Sequence, residues 1–370
     1  MSLARYAIDP VTGFVPGTPP LRSLGGAFAA LDAIAAEVGA LIRSRRMRDA
    51  ILGLPPLDIL ELAQPAERER AMLLLCHLAN AWVYGGEAPH LRIPPVLAIP
   101  LCALSGQLGR PPIAHYATMT LTNWRLIDPS AGISADNART QVQFLGGVDE
   151  DWFFVASMGV ELAGAPLVAA VVEAERAARD GSDADITAAL ERFAAGMPAV
   201  HDALQRVREW CDPHTYYLRV RPYVSSWPAP GVVYEGVSEE PRKYMGGSAA
   251  QSALLQSFDA LLGVVHPDAP AGAYLRAVRA YMPPAHRAFV EDVERNSRVR
   301  ARAEGGTAAL AAAYNDALAQ LERFRETHMQ LAHDYIIRPS GAAADATGTG
   351  GTALRTFLAG AHATTTRAKL

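Results

Sequence analysis

The longest coherent apolar pattern lies near the C-terminal end of the chain. Leu310, Tyr314, Ala317, Leu321, Phe324, His328, Leu331 and Tyr335 follow one another at steps of three and four, the spacing that stacks side chains on one face of an α-helix. The pattern predicts a helix over 307–338 with His328 inside its apolar stripe. His333 comes five residues later, and at about 100° per residue it turns roughly 140° away, toward the opposite flank. Shorter stripes predict further helices: Leu31, Ile34, Val38 and Leu41 over 27–46; Ala71, Leu75, Leu78 and Trp82 behind Pro65; Leu254, Phe258, Leu261 and Val265 behind Ser248. Residues 149–180 form a long apolar run that passes into a charged, helix-favouring segment and stops at Gly181-Ser182. Ile186, Leu190 and Phe193 mark another helix, and Pro198 opens the next, striped by Val200, Leu204 and Val207.

Between the stripes the breaks are equally informative. Residues 1–24 hold several prolines and glycines and read as an extended lead-in. Pro89, Pro94, Pro95, Pro100, Pro111 and Pro112 limit any helix in 87–113 to a short one. A helix resumes over 113–124, and turn residues follow, placing a boundary near 138. No steady period-2 alternation appears. The expected fold is all-α, a small helical N-terminal domain over 1–138 and a large helical domain over 139–370. Residues 341–352, GAAADATGTGGT, are too rich in glycine and alanine to hold one conformation unaided, and 339–352 reads as a mobile loop.

Composition narrows the function classes. Half of the 370 residues are hydrophobic but only 7% are aromatic, which suits close-packed helices. A net charge of −4 gives no electrostatic footprint for nucleic acid or an anionic membrane. No run approaches about 18 uninterrupted apolar residues, so neither a signal peptide nor a membrane span is expected. Cys76, Cys102 and Cys211 lack any paired spacing. They read as buried free thiols of a cytoplasmic protein.

The candidate chemistry is sparse. No nucleophile triad, phosphate loop, metal-ligand cluster or close carboxylate pair accompanies the stripes. What remains is a histidine on an apolar face, which is what a haem iron needs on its proximal side. Arg325, three residues earlier, suits a haem propionate, with Asp259 to hold it. Tyr216, Tyr217, Arg219, Arg221, Tyr223 and Trp227 concentrate in a segment without helical period and suit a planar ligand with an anionic group. Ser248 and Gln251 match a capping box behind Gly246-Gly247, whose helix start can receive a polar group.

Seven blocks extend this picture: HYATMTLTNW (115–124), DWFFVAS (151–157), YYLRVRPYVSSW (216–227), MGGSAAQSALLQSFDALLG (245–263), YMPPAHRAFV (281–290), RETHMQLAHDYI (325–336) and TGTGGTALRTFL (347–358). In content and order they resemble the indoleamine 2,3-dioxygenase family, over roughly residues 70–370. The resemblance implies haem b with His328 as proximal iron ligand, and dioxygen as co-substrate. It implies Arg325, Asp259, Gly247, Ser248 and Phe154 around the cofactor. For the indole it implies Tyr116, Phe153, Ser157, Tyr216, Ser248, Ala249 and Thr349, with Arg221 receiving the carboxylate. It implies no residue acting as general acid or base, and an electron donor to keep the iron ferrous. The activity implied is cleavage of the indole C2–C3 bond of L-tryptophan or a close indole to N-formylkynurenine. Met119, Thr120 and Tyr216 depart from the family's usual residues, which leaves open a haem enzyme of secondary metabolism acting on a modified tryptophan. A non-catalytic haem sensor is a third reading.

Overall fold

The computed structural model describes residues 2–266, 270–341, 347–351 and 353–370. It is 64% helix and 6% strand, as the stripes predict. Helices α1 (Ala29–Ala36), α2 (Val38–Arg43) and α3 (Met47–Leu52) precede the longer α4 (Pro65–Tyr84) and α5 (Pro95–Leu108). Next comes a helical hairpin of α6 (Val148–Asp180) and α7 (Asp183–Gln205), then the short α8 (Val207–Trp210) and α9 (Pro213–Thr215). The C-terminal part holds α10 (Ala253–Leu261), α11 (Pro270–Val278), α12 (Pro284–Asn296), α13 (Val299–Gly305), α14 (Ala308–Ala332) and α15 (Leu354–Arg367). Strands are few: β1 (Arg92–Ile93) pairs parallel with β4 (Val232–Tyr234), which pairs antiparallel with β5 (Ser238–Arg242), while β2 (Trp124–Leu126) and β3 (Ala138–Thr140) form an antiparallel ribbon.

Several expectations are corrected by packing. The single helix expected over 27–46 is broken at Glu37, and α2 closes with Arg45 at φ 59° and the Arg46 amide on the Leu41 carbonyl at 2.8 Å, a closure that reaches back over the last turn. The segment 113–124 contains one wide turn over Ala117–Leu121, because the buried Asn123 side chain bonds Gln141 N, Val142 N and Val142 O and draws the chain into β2. Helix α5 runs 14 residues through Pro100, and α7 continues through Pro198 where a new helix was expected. A proline removes one backbone bond and crowds the carbonyl four residues back. In α6 and α7, Pro166 and Pro198 are exposed, so the apolar faces that pack the hairpin together stay intact and decide the outcome. Helix α6 is long and apolar enough to cross a membrane by composition, yet 56% of its apolar window is buried inside the fold. That is how a core helix behaves.

Two cores result. The first joins α1–α5 and the turn at 117–121 to the first turns of α6 and the segment Tyr216–Tyr234. The second joins the rest of α6 to α7, α10, α12 and α14. The N-terminus is no loose lead-in: Tyr6, Ile8 and Phe14 are buried in the second core, Tyr6 donates to Asp292 Oδ2 at 2.7 Å, and Phe14 packs edge-on against Phe289. Helix α14 lies between α7 and α15. Its apolar stripe is buried as the spacing predicts and His328 within it is half-buried, while His333 is exposed beside Asp334.

Candidate functional site

A mainly apolar cavity is enclosed by α6, α10, α14 and α15, with the 116–120 turn and residues 247–252 completing its wall. His328 reaches it from α14. The ring is enclosed by protein, its remaining accessible surface being the cavity wall, and neither nitrogen has a hydrogen-bond partner among the described residues. Burial, aided by the Arg325 charge, pushes its pKa down to about 4, so the imidazole is neutral at pH 7 with a lone pair available. One turn back, Arg325 Nη2 bonds Asp259 Oδ1 and Oδ2 at 2.7 and 2.6 Å. Its Nη1 is held by Ala361 O and Thr365 Oγ1 from α15, leaving Nε–H unpaired among the described residues. Burial alone would raise the Asp259 carboxyl, but Arg325 and the His266 ring at 3.0 Å outweigh it and hold it below the usual carboxylate range. These residues fit the haem that the resemblance implies: an unpartnered neutral imidazole for iron, and beside it a fixed cation for an acidic group.

Above this wall lie the aromatic residues. Phe153 and Phe154 project from successive positions of α6, and the Phe153 ring lies 4.4 Å from that of Tyr216. Tyr216 is 5% exposed, and its hydroxyl has no partner among the described residues. Ser157 gives its proton to the Phe153 carbonyl at 2.8 Å, leaving lone pairs for the cavity. Tyr116, Gly247, Ser248, Ala249 and Thr349 also line it, as do Met119 and Thr120. Gly246 and Gly247 are there for close approach: a Cβ on the first would strike the Val224–Ser226 backbone, and on the second the Met119 methyl. The capping box forms, with Ser248 Oγ accepting from Ala250 N, but it caps a single turn. Helix α10 proper begins at Ala253 under Ser252, and Val265 falls beyond it, exposed.

Arg221 is not in the lining. Its guanidinium sits 5.3 Å over the Tyr217 ring, one Nη donates to the Thr347 carbonyl, and Nε is enclosed without a partner. The adjacent tyrosines thus divide, Tyr216 lining the cavity and Tyr217 stacking on the arginine. Of the loop expected over 339–352, residues 342–346 and 352 lie outside the described residues. The described part is docked, with Thr349 Oγ1 on Gly247 O at 2.6 Å and Ser226 N and Oγ on Thr349 O at 3.0 and 2.8 Å. Tyr274 and Phe357, ring to ring at 5.1 Å, line the cavity without any signal in the stripes. Glu161, bonded to Tyr116 and Ser252 behind the wall, was also unforeseen. Its signal was a lone carboxylate within an apolar run. Cys76 and Cys211 are buried free thiols, whereas Cys102 is half-buried.

Comparison with known proteins bears on this geometry. The family described as indoleamine 2,3-dioxygenase matches residues 2–368, taking in the N-terminal stretch that lies outside the resemblance over roughly 70–370. The chain is 32% identical to rat indoleamine 2,3-dioxygenase 1, over 100% of this chain and 96% of the rat protein. It is 33% identical to mouse indoleamine 2,3-dioxygenase 2, over 97% and 93%. A 6-hydroxytryptophan 2,3-dioxygenase from Fusarium equiseti is 30% identical over 92% and 86%. Similarity of this extent, running through the cavity walls from both cores, shows that the chain belongs to the indoleamine 2,3-dioxygenase family of enzymes.

Proposed function

We propose that the cavity holds haem b on His328 and that the enzyme, with dioxygen and an electron donor, opens the C2–C3 bond of L-tryptophan or a close indole to give N-formylkynurenine. The observation that carries this reading is the neutral, unpartnered His328 imidazole on an apolar wall, backed by the Arg325–Asp259 pair. Bound ferrous haem supplies the activation of dioxygen. The chain's own residues position the indole and keep water away. Phe153 and Tyr216 give the ring a flat apolar surface, with Ser157 beside them in the lining. Arg221, beside the docked loop, is the carboxylate anchor, with the Nη that does not bond Thr347 as its donor among the described residues. Thr349, bonded to Gly247, closes the wall beside it. Among the described residues His328 is the only histidine in the lining, with no second imidazole beside it as a base. Unpaired thiols suit a cytoplasmic setting.

Purified protein given ascorbate, methylene blue and L-tryptophan should yield N-formylkynurenine, identified by mass and absorbance. If no indole tested gives a ring-opened product, the reading is lost.

A second reading, a ring-hydroxylated tryptophan as preferred substrate, is favoured by the Tyr216 hydroxyl, which has no partner among the described residues, in a mainly apolar wall. A relative named for 6-hydroxytryptophan adds to it. That hydroxyl opens on the cavity, where a hydrogen bond to a ligand hydroxyl is worth about 0.5–1.5 kcal/mol. Tyr216→Phe should therefore leave kcat/KM for L-tryptophan within about twofold and lower it roughly tenfold or more for the hydroxylated substrate. Equal effects on both substrates would leave tryptophan as the better assignment.

A further inference from the structure

Glu161 lies midway along α6 and is 1% exposed, and nothing in the proposed function uses it. Its Oε1 accepts the Tyr116 hydroxyl at 2.9 Å and the Ser252 hydroxyl at 2.5 Å. Its Oε2 is fully enclosed and has no partner among the described residues. A buried carboxylate is ordinarily balanced by a cation. Here Tyr116, from the start of the 117–121 turn, and Ser252, from the cap of α10, are the groups that act on it, and no Lys, Arg or His does so. Burial pushes its pKa up to about 7, against the pull of the two hydroxyls. Such a group is costly as a mere tie between helices, since two hydroxyls could be joined by a neutral acceptor.

Both hydroxyls it holds belong to residues that line the cavity. A hydroxyl has one proton and two lone pairs. Because Tyr116 and Ser252 each give the proton to Oε1, neither has a donor left to turn toward a ligand. Ser252 spends one lone pair on the Leu254 amide at 3.0 Å, whereas the Tyr116 oxygen has no second partner. We propose that Glu161 is a positioning residue: from behind the wall it takes both hydroxyl protons, so that Tyr116 and Ser252 meet the ligand as acceptors and select an indole bearing an N–H donor. This rests on the cavity being the indole site. The donor is an N–H of the substrate, either that of the ring or that of the ammonium group.

The test is optical titration of the haem-loaded protein with three ligands: L-tryptophan, the benzothiophene analogue in which sulfur replaces the ring N–H, and indole-3-propionate, which lacks the ammonium. Wild type should bind tryptophan roughly tenfold more tightly than the analogue lacking the recognised donor, and which analogue is weakened identifies that donor. In Glu161→Leu the hydroxyls rotate freely, and the ratio should fall below about threefold. In Glu161→Gln the amide oxygen still takes both protons, so the ratio should persist. The wild-type ratio should rise between pH 6 and pH 8, as the carboxyl loses its proton and can only accept, while that of Glu161→Gln stays flat. A ratio unchanged in Glu161→Leu, or lost equally in Glu161→Gln, overturns the proposal. Should Glu161→Leu fail to take up haem, the pH profiles decide: identical slopes in wild type and Glu161→Gln overturn it, and a slope in wild type alone supports it. A wild type that binds neither haem nor any indole overturns the functional reading and this inference together, whereas failure in the variants overturns the inference alone.

Discussion

His328→Ala should emerge from purification without haem, its Soret band reduced to roughly a tenth of the wild-type intensity or less at equal protein concentration. Among the described residues no other cavity-lining side chain is an imidazole or a thiol, so none of them replaces the lost ligand. The loss should come with little unfolding. His328 makes no hydrogen bond among the described residues, its ring lies 6.4 Å from that of Phe324, and its accessible face is the cavity. Removing it strips no partner from the core, and far-ultraviolet circular dichroism should be unchanged. His333→Ala is the control: that ring is exposed and paired with Asp334, and its haem content should equal wild type. Added imidazole, small enough for the space vacated, should restore part of the Soret band to His328→Ala. Full haem content in His328→Ala would place the ligand elsewhere and remove the main support for the proposed function.

How far this site was legible depends on the range of the forces that make it. The α14 stripe is a local periodicity, and it placed His328 inward and His333 outward without any tertiary information. Arg325 was reachable from its spacing to His328, whereas no spacing points to its partner Asp259, 66 residues away. Pro100 and Pro198 misled, because the helices they interrupt are held by apolar faces that belong to other parts of the chain. Asn123 bent the 113–124 segment out of helix through bonds to residues 141 and 142, which no window of a dozen residues contains. Glu161 was overlooked for a related reason: its two partners lie 45 and 91 residues away. Arg221 stood out as an arginine among aromatics, yet its engagement with Tyr217 and the Thr347 carbonyl depends on where the loop docks.

Asp259→Ala carries the second large effect, because it strands a charge. The Arg325 and Asp259 side chains are only 10% and 9% exposed, and removing one member of a buried pair leaves the other ionised without compensation, at a cost of about 3–5 kcal/mol. The melting temperature should drop by roughly 5–10 °C. Asp259→Leu combined with Arg325→Leu should be less destabilised than either single variant, since no charge is left alone. Strictly additive losses would show that the two side chains do not act as a unit. The pH dependence has a definite sign. Arg325 and His266 hold the Asp259 carboxyl below its ordinary range despite burial, so the native state binds this proton less readily than the unfolded chain. Its contribution is complete above the ordinary carboxylate range and fades as pH falls through and below about 4, where the gap between wild type and Asp259→Ala should narrow. The same pair also sits one helical turn from His328, so haem retention separates its two roles. If Asp259→Ala melts early yet holds haem as tightly as wild type, the pair serves the fold alone; if haem is lost well below the new melting temperature, Asp259 holds Arg325 in place for the cofactor.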